Sequence, residues 1–206
     1  DNDVLRRGKP TVHVQFGEAQ ALLAGDALQA FAFELLTPDD NTLPAAMQAT
    51  LCRLLARAAG SAGMAGGQAI DLASVGVALT EDQLRQMHRL KTGALLQGSV
   101  LMGAVCGHAA PPAYQALSDY GAAMGLAFQV VDDILDVVAD SATLGKTAGK
   151  DAAADKPTYV SLLGLERAQT HAQELLQDAH AALARSGLPD TRALAALADM
   201  VVRRSY

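Results

Sequence analysis

Asp132, Asp133 and Asp136 crowd into five positions at the end of a lead-in, Tyr120 to Val131, that carries no charge. No other feature of the chain restricts its fold and chemistry as tightly. The small and apolar lead-in predicts a buried helix. At about 100° per residue, Gln129, Asp132, Asp133, Asp136 and Asp140 then share one sector about 100° wide. Val130, Val131, Ile134, Val137 and Val138 fill the opposite sector, so the expected helix docks by its valines and presents acid on its other side. Aspartates rarely sit in apolar surroundings unpaired. Clustered carboxylates repel one another and raise one another's pKa unless a cation neutralises them. A hard divalent metal meets that need, and Mg²⁺ typically takes one or two carboxylates and completes its shell with water and phosphate oxygens. A solvated acidic face is the plainer alternative, against which stand the apolar residues on both sides of the cluster.

Composition bounds what kind of chain carries this helix. Half of the 206 residues are hydrophobic, and Ala and Leu dominate over β-branched runs, which favours helix over strand. A chain of this length suits one large domain or two small ones and can bury a substantial core; with no linker or internal repeat in view, a single domain over 1–206 is expected. Its net charge of −6 excludes a nucleic-acid binder of the usual basic kind but leaves room for a small anion held by local cations. Cys52 and Cys106 have no metal-ligand spacing and suggest no disulfide framework, so a reduced, cytoplasmic setting is expected. The uncharged run from Thr92 to Pro112 approaches the length of a membrane span. Gln97, Ser99, His108 and several glycines dilute it and no aromatic belt flanks it, so a core helix is expected and no membrane span. No signal or transit peptide is visible, and the chain begins at Asp1 without Met, so the natural N-terminus is expected upstream.

Around the acidic helix the chain offers cations. Arg6-Arg7-Gly8-Lys9-Pro10 reads as a basic loop, whose arginines suit either surface charge pairs or bidentate phosphate contacts. Helices are expected over 17–36 and 44–59, followed by a glycine-rich stretch, 60–67, that leads into Gln68 and Asp71. Those glycines could cradle phosphate, but no strand precedes them and close helix approach is the better reading. Thr80 to Gln83 forms a capping box. Leu84, Met87, His88, Lys91 and Leu95 then share one face, on which Lys91 alone reads as a snorkelling side chain and His88 as a satisfied core histidine. The acidic helix is expected over 113–140. Gly145-Lys146-Thr147 lacks the rest of a P-loop, so it is read instead as part of a basic lid with Lys150 and Lys156. Helices over 159–186 and 190–204 close the chain.

Taken together, Leu5-Arg6-Arg7-Gly8-Lys9-Pro10, Ala24-Gly25-Asp26, Gly66-Gly67-Gln68 with Asp71-Leu72, Lys91-Thr92-Gly93 and Phe128-Gln129-Val130-Val131-Asp132-Asp133-Ile134-Leu135-Asp136 follow one another in a familiar order. The chain resembles a trans-isoprenyl diphosphate synthase of the bacterial farnesyl/geranyl diphosphate synthase type. That resemblance implies an isoprenoid-synthase helical bundle around a deep central cavity, of which this chain is the C-terminal two-thirds or so. It implies a homodimer that condenses an allylic diphosphate with isopentenyl diphosphate, with farnesyl diphosphate as first expectation for the product. Up to three Mg²⁺ bridge the diphosphate in such enzymes. Asp132, Asp133 and Asp136 correspond to the second aspartate motif, and Asp1, by its spacing to Arg6, to the last aspartate of the first. Arg6 and Lys91, with the lid lysines Lys146 and Lys156, correspond to groups on the allylic diphosphate, and Arg7 to a group on isopentenyl diphosphate. Thr92, Gln129 and the Lys91 carbonyl would face the allylic cation. The first aspartate pair and most of the isopentenyl diphosphate site lie outside the chain. A class I terpene cyclase and a catalytically silent subunit of a heteromeric synthase are the alternatives; the intact acid cluster argues against the first and the complete set of motif lysines against the second.

Overall fold

The structure, a computed structural model, describes residues 2–40, 42–138 and 156–204. The fold is the expected all-α bundle with one small addition at its start: β1 (Leu5–Arg6) pairs antiparallel with β2 (Lys9–Pro10). Arg7 and Gly8 take φ of 51° and 72°, the left-handed pair that closes a two-residue hairpin with the twist of its strands. The basic segment is therefore a turned-back hairpin and not an open loop.

Helices α1 (Val12–Phe16) and α2 (Glu18–Leu35) come next, and α2 buries none of its 18 residues. Leu22, Leu23, Leu28, Phe31 and Leu35 all stand exposed along it. After α3 (Ala45–Ala59) and α4 (Met64–Ala73), α5 (Glu81–His88) starts at the expected box: the Gln83 N–H donates to Thr80 Oγ1 at 3.3 Å, and the Thr80 N–H to Gln83 Oε1 at 2.9 Å. A π-turn over Arg89–Gly93 joins α5 to α6 (Ala94–Cys106). Then come α7 (Pro111–Val138), α8 (Tyr159–Leu163), α9 (Leu165–Arg185) and α10 (Arg192–Arg203). Gly164, with φ of 81°, splits into α8 and α9 the stretch expected as one helix over 159–186.

α7 is the spine. Its Tyr120, Met124, Ala127, Val130, Val131, Ile134 and Leu135 pack on a stripe of α9, Ala168, Ala172, Leu175, Leu176, Ala179 and Leu183, that recurs at the three-to-four spacing of an amphipathic helix. Each such Leu or Val, fully buried, contributes about 2 kcal/mol. The Tyr120 hydroxyl donates to the Leu194 carbonyl at 2.8 Å and so ties α7 to α10. At the end of α7 the expected division holds in part: Val130, Val131 and Ile134 are buried as expected, but so are Asp133 and Asp136, while Val137 and Val138 are exposed. Asp133 turns inward to the start of α8, whose first N–H it accepts, and Asp132 keeps a side chain 37% exposed.

No described helix is long and apolar enough to cross a membrane, and Cys52 and Cys106 are both free.

Candidate active site

The basic side of the site begins with a close approach. Gly67 on α4 lies so near the main chain at Lys91 that a Cβ there would run into the Lys91 nitrogen and Cα. On the other flank, a Cβ on Gly125 of α7 would sit 2.5 Å from the Gly93 Cα. Two glycines from two helices thus clamp the π-turn that carries Lys91 and Thr92, which is where an i→i+5 turn commonly marks function. The Lys91 ammonium donates to Asp71 Oδ2 at 2.8 Å, and the Gln68 amide approaches the same oxygen at 3.4 Å. Lys156 Nζ stands 4.0 Å from that oxygen. The Asp71 side chain is 6% exposed and that of Lys91 24%, so the carboxylate lies beneath and the ammonium reaches the surface of the site.

From the π-turn a chain of hydrogen bonds crosses to the acidic helix. The Thr92 hydroxyl donates to Gln129 Oε1 at 3.1 Å, and the Gln129 amide donates to Asp133 Oδ1 at 2.9 Å. The other Asp133 oxygen accepts the Tyr159 backbone N–H at 2.8 Å, at the start of α8. His88 closes the group from α5, stacked on Tyr159 with ring centroids 5.7 Å apart and 3.8 Å from Asp133 Oδ2. That separation is too long for a hydrogen bond. Neither ring nitrogen has a hydrogen-bond partner among the described residues, so His88 is a core histidine, as expected, but an unsatisfied one. Burial first and the Lys91 charge second push its pKa down to about 3, so the ring is neutral. Burial likewise pushes the Tyr159 phenol up to about 12.

Asp132 has different surroundings. Its side chain is 37% exposed against 2% for Asp133. A guanidinium stands 3.7 Å away, that of Arg204, whose Cζ lies 3.9 Å over the Phe128 ring and whose Nη2 donates to the Phe128 carbonyl at 2.8 Å. Burial lowers the Arg204 pKa while Asp132 pulls it back up. Asp132 is thus the more exposed of the two, whereas Asp133 is bound into the scaffold. Among the described residues no three His, Cys, Asp or Glu side chains gather closely enough to hold a metal by themselves. The donors present are nonetheless carboxylate oxygens, the type that a hard cation such as Mg²⁺ takes.

Of the residues expected in the site, the structure brings together Lys91, Thr92, Gln129, Asp133 and Lys156, with Asp132 and Asp136 on the same helix. Arg6 and Arg7 lie exposed on the hairpin, and among the described residues no hydrogen bond or ion pair joins them to Lys91, Lys156 or Asp132. Asp1 and Lys146 lie outside the described residues.

A model of the family described as polyprenyl synthetase matches residues 1–188. The chain belongs to the polyprenyl synthetase family. Within it, a Bradyrhizobium diazoefficiens protein named "Probable farnesyl diphosphate synthase" is 55% identical to 91% of this chain and the match covers 57% of that relative. The Escherichia coli farnesyl diphosphate synthase is 49% identical across the chain, which spans 70% of it. Among solved structures, a geranyltransferase from Helicobacter pylori complexed with magnesium and isoprenyl diphosphate superposes with a TM-score of 0.85 at 36% identity, over 98% of this chain and 65% of that one. This polyprenyl synthetase chain therefore spans less than two thirds of the first of these relatives.

Two residues at the site escaped the reading of the sequence. Asp71 stood there only as a member of a motif block, and its pairing with Lys91 spans 20 positions with no periodic signature. Arg204 lies past the family match, and its one local signal is the Arg203-Arg204 pair that ends the last amphipathic helix.

Proposed function

We propose that the chain is the larger part of a chain-elongating prenyltransferase. It joins an allylic diphosphate, dimethylallyl or geranyl, to isopentenyl diphosphate, with farnesyl diphosphate as the main product. One observation carries this reading: the hydrogen-bonded line from Thr92 through Gln129 to Asp133, which links the π-turn that bears Lys91 to the acidic end of α7. The names of the similar proteins support it independently.

In this reading Lys91 and Lys156 bind the allylic diphosphate and stabilise the charge that builds on it as the C–O bond breaks. Mg²⁺, held by Asp132 with Asp133, Asp136 and Asp1, would add positive charge on the diphosphate oxygens when bound. Arg6 joins the lysines on the allylic diphosphate, as Lys146 does from the lid, and Arg7 binds isopentenyl diphosphate. The Thr92 hydroxyl, the Gln129 carbonyl and the Lys91 main-chain carbonyl turn their negative ends toward the allylic cation, stabilising it without an acid–base step. The isopentenyl double bond attacks that cation, and the new tertiary cation loses a proton to the departing diphosphate. Apolar helix faces hold the growing tail and exclude the water that would trap either cation as an alcohol.

The whole protein acts as a cytoplasmic homodimer, and the exposed apolar side chains of α2 are surface that such an interface would cover. With Mg²⁺, dimethylallyl diphosphate and isopentenyl diphosphate, the whole protein should yield a prenyl diphosphate, identified by mass spectrometry after chromatography. Absence of any elongated product would overturn the proposal.

A further inference from the structure

Lys91 is held twice by one helix. Gly67 fixes its main chain by close approach, and Asp71, one helical turn further along the same face of α4, fixes its ammonium at 2.8 Å. The same Asp71 oxygen lies 4.0 Å from Lys156 Nζ. Resting on the prenyltransferase reading, we infer that Asp71 is a positioning residue: it sets Lys91 and Lys156 as a pair against the allylic diphosphate, although it touches no substrate atom itself.

The chemistry of the ammonium group makes this arrangement workable. Each lysine has three N–H donors, so Lys91 can keep one on Asp71 and turn two toward phosphate oxygens. Without a counter-charge, two ammonium groups sharing a half-buried space would repel one another and swing apart on flexible stems. Among the described residues, His88 and beyond it Asp133 do not replace that carboxylate. His88 is neutral, and Asp133 is taken by Gln129 and the Tyr159 N–H. Stability alone is a poor reason for the arrangement, since a buried ion pair is often matched by apolar side chains of the same volume.

The test compares Asp71→Asn, Asp71→Ala and Asp71→Glu in the whole protein. Calorimetric binding of inorganic pyrophosphate without metal isolates the direct cations, and steady-state kinetics follow each substrate separately. Asp71→Ala should weaken metal-free pyrophosphate binding and raise KM for the allylic diphosphate about 10- to 100-fold, the scale of a misplaced binding group. KM for isopentenyl diphosphate should not move, and Asp71→Glu should recover part of the loss. A purely structural role would instead depress both substrates together and would not be rescued. Pyrophosphate binding in Asp71→Asn as tight as in the wild type, or tighter, would mark Asp71 as a mere competitor for the lysines and overturn the inference. If Asp71→Ala does not fold, the isosteric Asn variant carries the same comparison. A wild type that binds pyrophosphate but makes no prenyl product would sink the prenyltransferase reading and leave the lysine pair still measurable.

Discussion

Beneath the π-turn one buried carboxylate, Asp71, faces two ammonium groups, whereas at the end of α7 three carboxylates are spread over little more than one helical turn. The first cluster holds a counter-ion, one carboxylate against two ammonium groups, before any ligand arrives. In the second the roles are divided. Asp133 spends one oxygen on Gln129 and the other on the start of α8, while Asp132 stands more open, with Arg204 3.7 Å away. Residues adjacent in sequence thus differ in surroundings, one bound into the scaffold and one more exposed, and the basic cluster keeps its scaffold carboxylate on a different helix altogether.

The division is sharpest in single substitutions. Asp132→Ala should lower turnover by about 100-fold or more, the scale of losing one preorganised charge contact in a transition state, while circular dichroism and thermal unfolding stay near wild type. Unchanged steady-state turnover would remove Asp132 from the metal site. Asp133→Ala should break the pattern from the other side. It strands the Tyr159 N–H and the Gln129 amide in the interior, and the unfolding free energy should fall by about 2 to 3 kcal/mol in denaturant titration. Equal stability of the two variants would erase the distinction between anchor and presenter.

The parts of this arrangement that are local were legible in the sequence. The capping box at Thr80 forms both of its bonds, the acidic helix lies where its periodicity puts it, and the glycine stretch does bring helices together, at Gly67. Which way the acid faces was not legible. Helical periodicity gives relative angles on α7 but not what packs around it, and α8 supplies the buried N–H that draws Asp133 inward. Nor do pairings such as Asp71 with Lys91, or Arg204 with Phe128 across 76 positions, leave a trace in local pattern, since they depend on how distant helices cross. The motif resemblance singled out Lys91, which periodicity alone made a snorkelling side chain and which the structure pairs with Asp71, because a motif records the outcome of packing that spacing cannot see.

His88 sits between the two clusters and gives the smallest effect. Its ring is buried at 4% exposure with no hydrogen-bond partner among the described residues, and its pKa in the fold lies at about 3 against an ordinary 6.5. Between those values the unfolded chain binds a proton that the native state refuses, so stability is full above about pH 6.5 and is lost as pH falls toward about 3. Going from about pH 6.5 to about 5.5 should remove about 1 kcal/mol through this ring alone. Other groups titrate in the same unfolding experiment, so the informative quantity is the difference between wild type and His88→Gln, which cannot take up the proton. The stability of the wild type relative to the variant should fall by about 1 kcal/mol as the pH drops through this range. A flat difference would mean that the Asp133 carboxylate, 3.8 Å away, accepts the charged ring in the fold, and the two clusters would then be electrically continuous through His88 instead of separated by it.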